Sequence, residues 1–203
     1  MKNAIDKFKK FRRIFHDNNG ILRTSVALKA GIHPRTLYAM RDSGILEQLA
    51  RGLYRLSDMS PMSNPDLQSV AMKIPSGVIC LISALAYHEL TTQIPHVIYL
   101  ALPRKARQPK LTYPPTQIFR FTGRSFSEGI ETEKIDGISV RIYCPEKTIA
   151  DCFKYRNKIG LETAIEALRT YRRRKIIKAN ELMQYARICR VEKVMRPYLE
   201  AIL

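Results

Sequence analysis

The stretch "TSVALKAGIHPRTLYAM", residues 24–40, decides the reading of this chain, because one helical pattern stops at Gly31 and another opens at Pro34, only two residues later. Ala27 is small where two helices would cross. Gly31 can supply the positive φ of a tight turn, and Pro34 suits a first helical turn whose N–H groups lack intrahelical partners. Val26, Ala30, Ile32, Leu37 and Met40 are the apolar positions expected to face a third helix. The pattern predicts a helix-turn-helix. Its second helix would present Arg35, Thr36, Tyr38 and Arg41 to a major groove, and the free N–H groups around Pro34 would be open to a phosphate oxygen.

The flanks extend this reading in both directions. Ile5, Phe8, Phe11, Arg12 and Phe15 recur at steps of three and four, which predicts a helix over Ala4–His16 closed by "DNNG". "GILRT" is a short extended piece, and Thr24 or Ser25 is expected to cap a helix running to Lys29 or Ala30. Ser43-Gly44 ends the next helix. "ILEQLA" and "LYRLS" then flank Arg51-Gly52 as the strands of a hairpin, the wing of a winged helix-turn-helix spanning residues 1–60.

Ser, Pro, Asn and Asp cluster between Ser57 and Pro65, a composition that marks a linker. Residues 66–203 read as a mixed α/β C-terminal domain, so the fold class is α+β. Helical patterns at Asp66–Lys73 and Ser83–Leu90 precede strand-like "HVIYLAL" and "TQIFRFTG". Alternation either side of Asp136-Gly137 predicts a second hairpin. From Pro145 the chain turns helical at Glu146–Lys154, Leu161–Arg174, Asn180–Ile188 and Glu192–Ile202.

Charge narrows the partners. The net charge of +17 and pI near 10.0 suit a polyanion, whose counterions such a surface would release. Residues 1–60 hold 12 Lys+Arg against 5 Asp+Glu. Double-stranded DNA is therefore the expected partner, with His33, Arg35, Thr36, Tyr38 and Arg41 at bases or phosphates and Arg51 at the wing tip. Arg23, Lys29 and Arg55 would touch the backbone or solvate a face. Arg169, Arg172, Arg173, Arg174 and Lys175 form a candidate second basic surface. Its alternative is a solvated helical face with arginines bridging to Glu162 and Glu166. The loop "PRKARQPK" could meet DNA, RNA or an acidic partner.

Other chemistries find little support. Cys80, Cys144, Cys152 and Cys189 lie apart among apolar residues, as small buried hydrophobes rather than metal ligands. No glycine-rich phosphate loop, nucleophile elbow or paired metal histidines occur, so no cofactor, metal or catalytic residue is expected. Glu131, Glu133, Lys134 and Asp136 come nearest to a nuclease constellation, but a hairpin turn explains them as solvent-facing charge. The apolar run "VICLISALA" is shorter than the roughly 20 residues needed to span a bilayer, which leads to the expectation of a cytoplasmic protein.

With these residues in view, the chain resembles the antitoxins of the AbiE family, the regulatory halves of type IV toxin–antitoxin systems in abortive infection. The resemblance rests on "GILRTSVALKAGIHPRTLYAMRDSGILEQLARGLYRL", on "ISALAYHEL" before "PHVIYLALPR", and on "CPEKTIADCFKYR" before the terminal helices. It implies a winged helix that represses its own operon at inverted repeats. It also implies a C-terminal domain that counters a nucleotidyltransferase-like toxin encoded nearby, without a stable complex. Promoter binding would fall on His33, Arg35, Thr36, Tyr38, Arg41 and Arg51. Two alternatives stand beside it: a winged-helix regulator whose second domain is a sensor, and a nuclease with a winged-helix reader.

Overall fold

The computed structural model describes residues 8–109, 111–174 and 177–202. The chain is α+β and divides into two units, Met1–Pro65 with Lys134–Ile138, and Asp66–Glu133 with Ser139–Leu203.

The first unit runs α1 (Lys9–His16), β1 (Ile21–Arg23), α2 (Thr24–Lys29), α3 (Pro34–Asp42), β2 (Leu46–Ala50) and β3 (Leu53–Leu56). This is the element order of a winged helix. Phe8 and Phe15 of the first helical pattern are buried, with Phe11 and Ile14 packed beside them, so the period seen in the sequence is the face that meets the core. Residues 4–7 of the expected helix lie outside the described residues. The short "GILRT" segment pairs with β3, giving an antiparallel sheet of order β1-β3-β2 in which Ile21 faces Arg55 and Leu46 faces Leu56.

The turn at Gly31 closes α2 as anticipated from its φ requirement. Gly31 stands at φ +83°, its N–H donating to the Leu28 carbonyl at 3.0 Å and that of Ile32 to the Ala27 carbonyl at 2.9 Å. These paired bonds satisfy carbonyls the helix end would otherwise leave open. Two local expectations need correction. Arg23, not Thr24 or Ser25, is the N-cap of α2, and no side chain caps it. Val26 is 42% exposed and Ala30 is also exposed, whereas Ala27, Ile32, Leu37 and Met40 are buried. With only six residues, α2 turns a single position, Ala27, fully inward.

In the second unit a five-stranded mixed sheet has the order β6-β5-β4-β8-β7. Its strands are β4 (Val78–Ile79), β5 (Ile98–Pro103), β6 (Thr116–Phe121), β7 (Ile130–Ile135) and β8 (Ile138–Tyr143). β5 runs parallel to β6 and antiparallel to β4, and β4 is parallel to β8. Asp136 and Gly137 both take positive φ, +47° and +82°, as a two-residue hairpin turn requires. The central strand β4 is a correction. Its two residues sit inside "VICLISALA", which gave no strand signal of its own.

The helices of this unit are α4 (Pro65–Lys73), α5 (Leu81–Tyr87), α6 (Arg124–Ser127), α7 (Pro145–Lys154), α8 (Arg156–Ile159), α9 (Leu161–Arg174), α10 (Ala179–Ile188) and α11 (Glu192–Ile202). Every residue of α7 from Pro145 to Phe153 is buried, because α5, α9, α10 and α11 pack around it. Its core partners include Phe121, Tyr143, Ile149, Phe153, Leu168 and Tyr171. One ion pair lies in this core: Lys147 and Asp151, four apart on α7, are both fully buried and bonded to each other. Asp151 also accepts a hydrogen bond from the Cys189 thiol at 3.2 Å.

Candidate nucleic-acid interface

The candidate recognition helix α3 starts on a His33 cap. His33 is extended at ψ 146°, and its Nδ1 accepts the Arg35 N–H at 3.2 Å while its carbonyl accepts the Thr36 N–H at 2.9 Å. The first-turn donors expected to be open to a phosphate are thus already engaged. That capping leaves the histidine ring exposed and fixes the direction in which Arg35 leaves the helix.

Leu37 and Met40 point into the core at 0% exposure, which turns the intervening side chains outward. Arg35 is exposed, Thr36 half-buried, and Tyr38 remains 48% exposed. The Arg41 guanidinium lies 5.3 Å from the Tyr38 ring centroid and donates to Asp42 Oδ1 from Nε at 2.9 Å and from Nη2 at 2.8 Å. Water screens an exposed pair of this kind, so Arg41 exchanges Asp42 for another anion at little cost. Across from this face, the turn of the β2–β3 hairpin carries Arg51 and Gly52, the latter at φ +72°. A cleft of about 420 Å³ lies between α3 and the hairpin, lined by Thr24, Tyr38, Arg41, Gln48, Arg51, Gly52 and Tyr54. No carboxylate lines it, so an anion meets no opposing charge on its walls.

Lys29, Arg35 and Arg51 are exposed, and their side chains make no hydrogen bond or ion pair among the described residues. Arg23 is also exposed, on β1. Arg55 departs from expectation. It lies on β3, the middle strand, at 9% exposure, with Nη1 donating to Glu47 at 2.7 Å and Nη2 to the Ser60 carbonyl. Flanked by β1 on one side and β2 on the other, its side chain fastens the wing and the segment beyond it, rather than solvating a face. Changing Arg55 to Met should cost about 1–3 kcal/mol in stability, since the Ser60 carbonyl loses its donor. Urea unfolding followed by circular dichroism measures that cost.

Arg169, Arg172, Arg173 and Arg174 are exposed on the last turns of α9; Lys175 lies outside the described residues. Two of the residues expected to bridge, Arg174 and Glu166, have other partners. Arg174 pairs with Glu89, and Glu166 accepts from the Thr92 N–H at 3.0 Å. The four cysteines are buried and free, and burial pushes the Cys144 thiol up to about 11 and that of Cys189 up to about 12. The hairpin carboxylate Asp136 accepts from the Ser63 N–H at 2.8 Å and from its hydroxyl at 3.0 Å, a use that a nuclease reading would not foresee.

The residues that carry this geometry have known counterparts. Residues 11–57 match the family described as transcriptional regulator, AbiEi antitoxin. The AbiEi match opens within α1 and closes just after β3, so it covers the helix-turn-helix and its wing. Among solved structures, the fold is similar to that of the RV2827C protein from Mycobacterium tuberculosis, with a TM-score of 0.55 at 11% identity, covering 98% of this chain and 81% of that one. That likeness concerns the fold alone. No curated protein gives a match. Among the described residues, no helix is long and apolar enough to cross a membrane.

Proposed function

We propose that the protein is a transcriptional autorepressor and antitoxin of a type IV toxin–antitoxin system. In this reading residues 1–60 bind inverted repeats in the protein's own promoter, and residues 66–203 act against a nucleotidyltransferase-like toxin encoded nearby without forming a stable complex. The AbiEi match supports the regulator and antitoxin character. The observation that carries the DNA-reading part is the carboxylate-free cleft between α3 and the hairpin, bordered by Arg41 and Arg51 and by the exposed face of Arg35. In the proposed mechanism α3 enters the major groove, Arg35 and Arg41 meet base edges or phosphates, and Arg51 follows the backbone beside it. Two copies on an inverted repeat would then block the promoter. The protein needs no cofactor and performs no catalysis in this account.

A gel-shift titration against the upstream region tests it. Arg35→Ala should weaken selective binding by about 1–3 kcal/mol, and Arg41→Ala by less, because wild-type Arg41 must first leave Asp42. Binding indifferent to sequence and to both substitutions would remove the DNA-reading part. Co-expression with the neighbouring gene tests the antitoxin part: growth arrest relieved by the full chain supports it. A neighbour with no toxicity favours the plain regulator.

A further inference from the structure

In the second unit, away from the winged helix, a cleft of about 910 Å³ gathers five cations, Arg124, Lys154, Arg156, Arg187 and Arg190, around the Ser125 hydroxyl. They arrive from three separated segments: the end of β6 and α6, the α7–α8 junction, and the turn between α10 and α11. No carboxylate lines the cleft. Glu128 and Glu192, which do not line it, pair at 3.3 Å with Arg124 and Arg187 respectively. Lys154 is aimed by a 3.0 Å bond from its Nζ to Ser125 Oγ, and Arg156 by a 2.9 Å bond to the Phe153 carbonyl. Lys154, Arg156 and Arg190 therefore form no ion pair among the described residues.

Arg190 gives the second indication. It occupies the left-handed position that closes α10, φ +60°, with the Val191 N–H returning to the Ala186 carbonyl at 2.8 Å. Gly31 and Gly44 hold the equivalent place after α2 and α3. Glycine adopts that conformation without strain, and a side chain there is a local cost. At the end of α5 the same place is held by Glu89, whose side chain pairs with Arg174. Arg190, in contrast, makes no side-chain bond among the described residues and borders the cleft.

We propose that this cleft binds an oligophosphate chain, the shared chemistry of a nucleoside triphosphate and of inorganic polyphosphate. Its volume falls in the range of small-ligand sites, roughly 300–1,000 Å³. Its cations converge on one concavity rather than running along a face, which suits a short flexible polyanion better than a rigid duplex. Arginine forks and the Lys154 ammonium supply donors to successive phosphoryl groups. This site is independent of the DNA-reading proposal, since it lies wholly within the other unit.

Isothermal titration of the full chain with sodium tripolyphosphate at about 0.15 M salt tests it, with ATP, orthophosphate and a duplex oligonucleotide as comparators. Tripolyphosphate should bind at least tenfold more tightly than orthophosphate. Arg190→Gly should keep or raise the thermal midpoint, because glycine suits that backbone, while lowering tripolyphosphate affinity about tenfold. Arg35→Ala should leave it unchanged. ATP binding tighter than tripolyphosphate identifies a nucleotide site, and equal binding identifies the phosphate chain itself; either supports the proposal. No saturable binding of tripolyphosphate, or equal affinity in wild type and Arg190→Gly, overturns it. So does a duplex that expels tripolyphosphate and loses affinity with Arg190→Gly, since the cleft would then belong to a DNA surface.

Discussion

Replacing Lys147 with methionine should lower the stability of the second unit by about 3–5 kcal/mol, the cost of leaving a buried charge without its partner. Lys147 and Asp151 have fully buried side chains, and the ammonium lies 4.1 Å from the Tyr143 ring centroid. Removing the cation strands the Asp151 carboxylate with the Cys189 thiol as its remaining side-chain donor among the described residues. Lys147→Met with Asp151→Leu should recover most of the loss, because two apolar side chains of similar volume need no solvation. The pH dependence distinguishes this charge effect from a packing defect. Burial pushes the Asp151 carboxyl upward, and the Lys147 ammonium opposes that push. Without Lys147 its folded pKa rises further above the unfolded value of about 3.9. A group that holds its proton more tightly when folded gives stability that is full below the unfolded pKa and is lost as pH rises through the folded one. The deficit of Lys147→Met relative to wild type should therefore be smaller at pH 4 than at pH 7. Urea titrations at the two pH values measure it, and an equal deficit at both would leave only packing.

Affinity for operator DNA should fall by about 10³ between 50 and 200 mM salt if six or more phosphates are contacted. The first unit supplies Arg23, Lys29, Arg35 and Arg51 as exposed cations, with Arg41 released from Asp42 on contact. In the proposed function two copies on an inverted repeat would double that number, which makes six phosphates a modest requirement. Each lost phosphate contact removes about 0.9 from the slope of log affinity against log salt. Arg51→Ala should thus flatten the slope with little change in sequence preference, whereas Arg35→Ala should reduce the discrimination itself. Gel shifts at four salt concentrations separate the two. A flat salt response in the wild type would remove the electrostatic basis of the interface.

The winged helix was legible because local rules agreed within it. Gly31 and Pro34 allow few alternatives to a turn between helices, and the Phe8, Phe15 spacing fits a buried face. The errors came from length. A six-residue α2 has room for one inward position, and no periodicity argument could have shown that Val26 and Ala30 miss it. Arg55 was misjudged since its burial depends on β1 pairing beside β3, a contact made with residues more than one turn of chain away. The Lys147 and Asp151 pair was on view as i and i+4, but that spacing ordinarily marks a solvated helix face. Only the packing of helices on every side of α7 turns it into a core feature. The five-cation cleft was the least legible of all. Its members were visible as scattered basic residues, and nothing in their order along the chain announces that three segments meet.

The two-residue strand β4 carries a consequence for how the second unit assembles in time. The β7–β8 hairpin closes through a two-residue turn, so its ladder needs little chain ordering and can form within microseconds. β5 and β6 likewise share a ladder of six aligned pairs. Within the sheet the halves meet at β4, where Val78 and Ile79 pair with Ala101 and Leu100 on one side and Ile79 pairs with Ile142 on the other. That last pairing joins residues 63 positions apart, and its loop-closure entropy must be met before many contacts reward it. Seating β4 should thus be the slow step of folding, and a chain caught before it would carry two part-sheets with open edges.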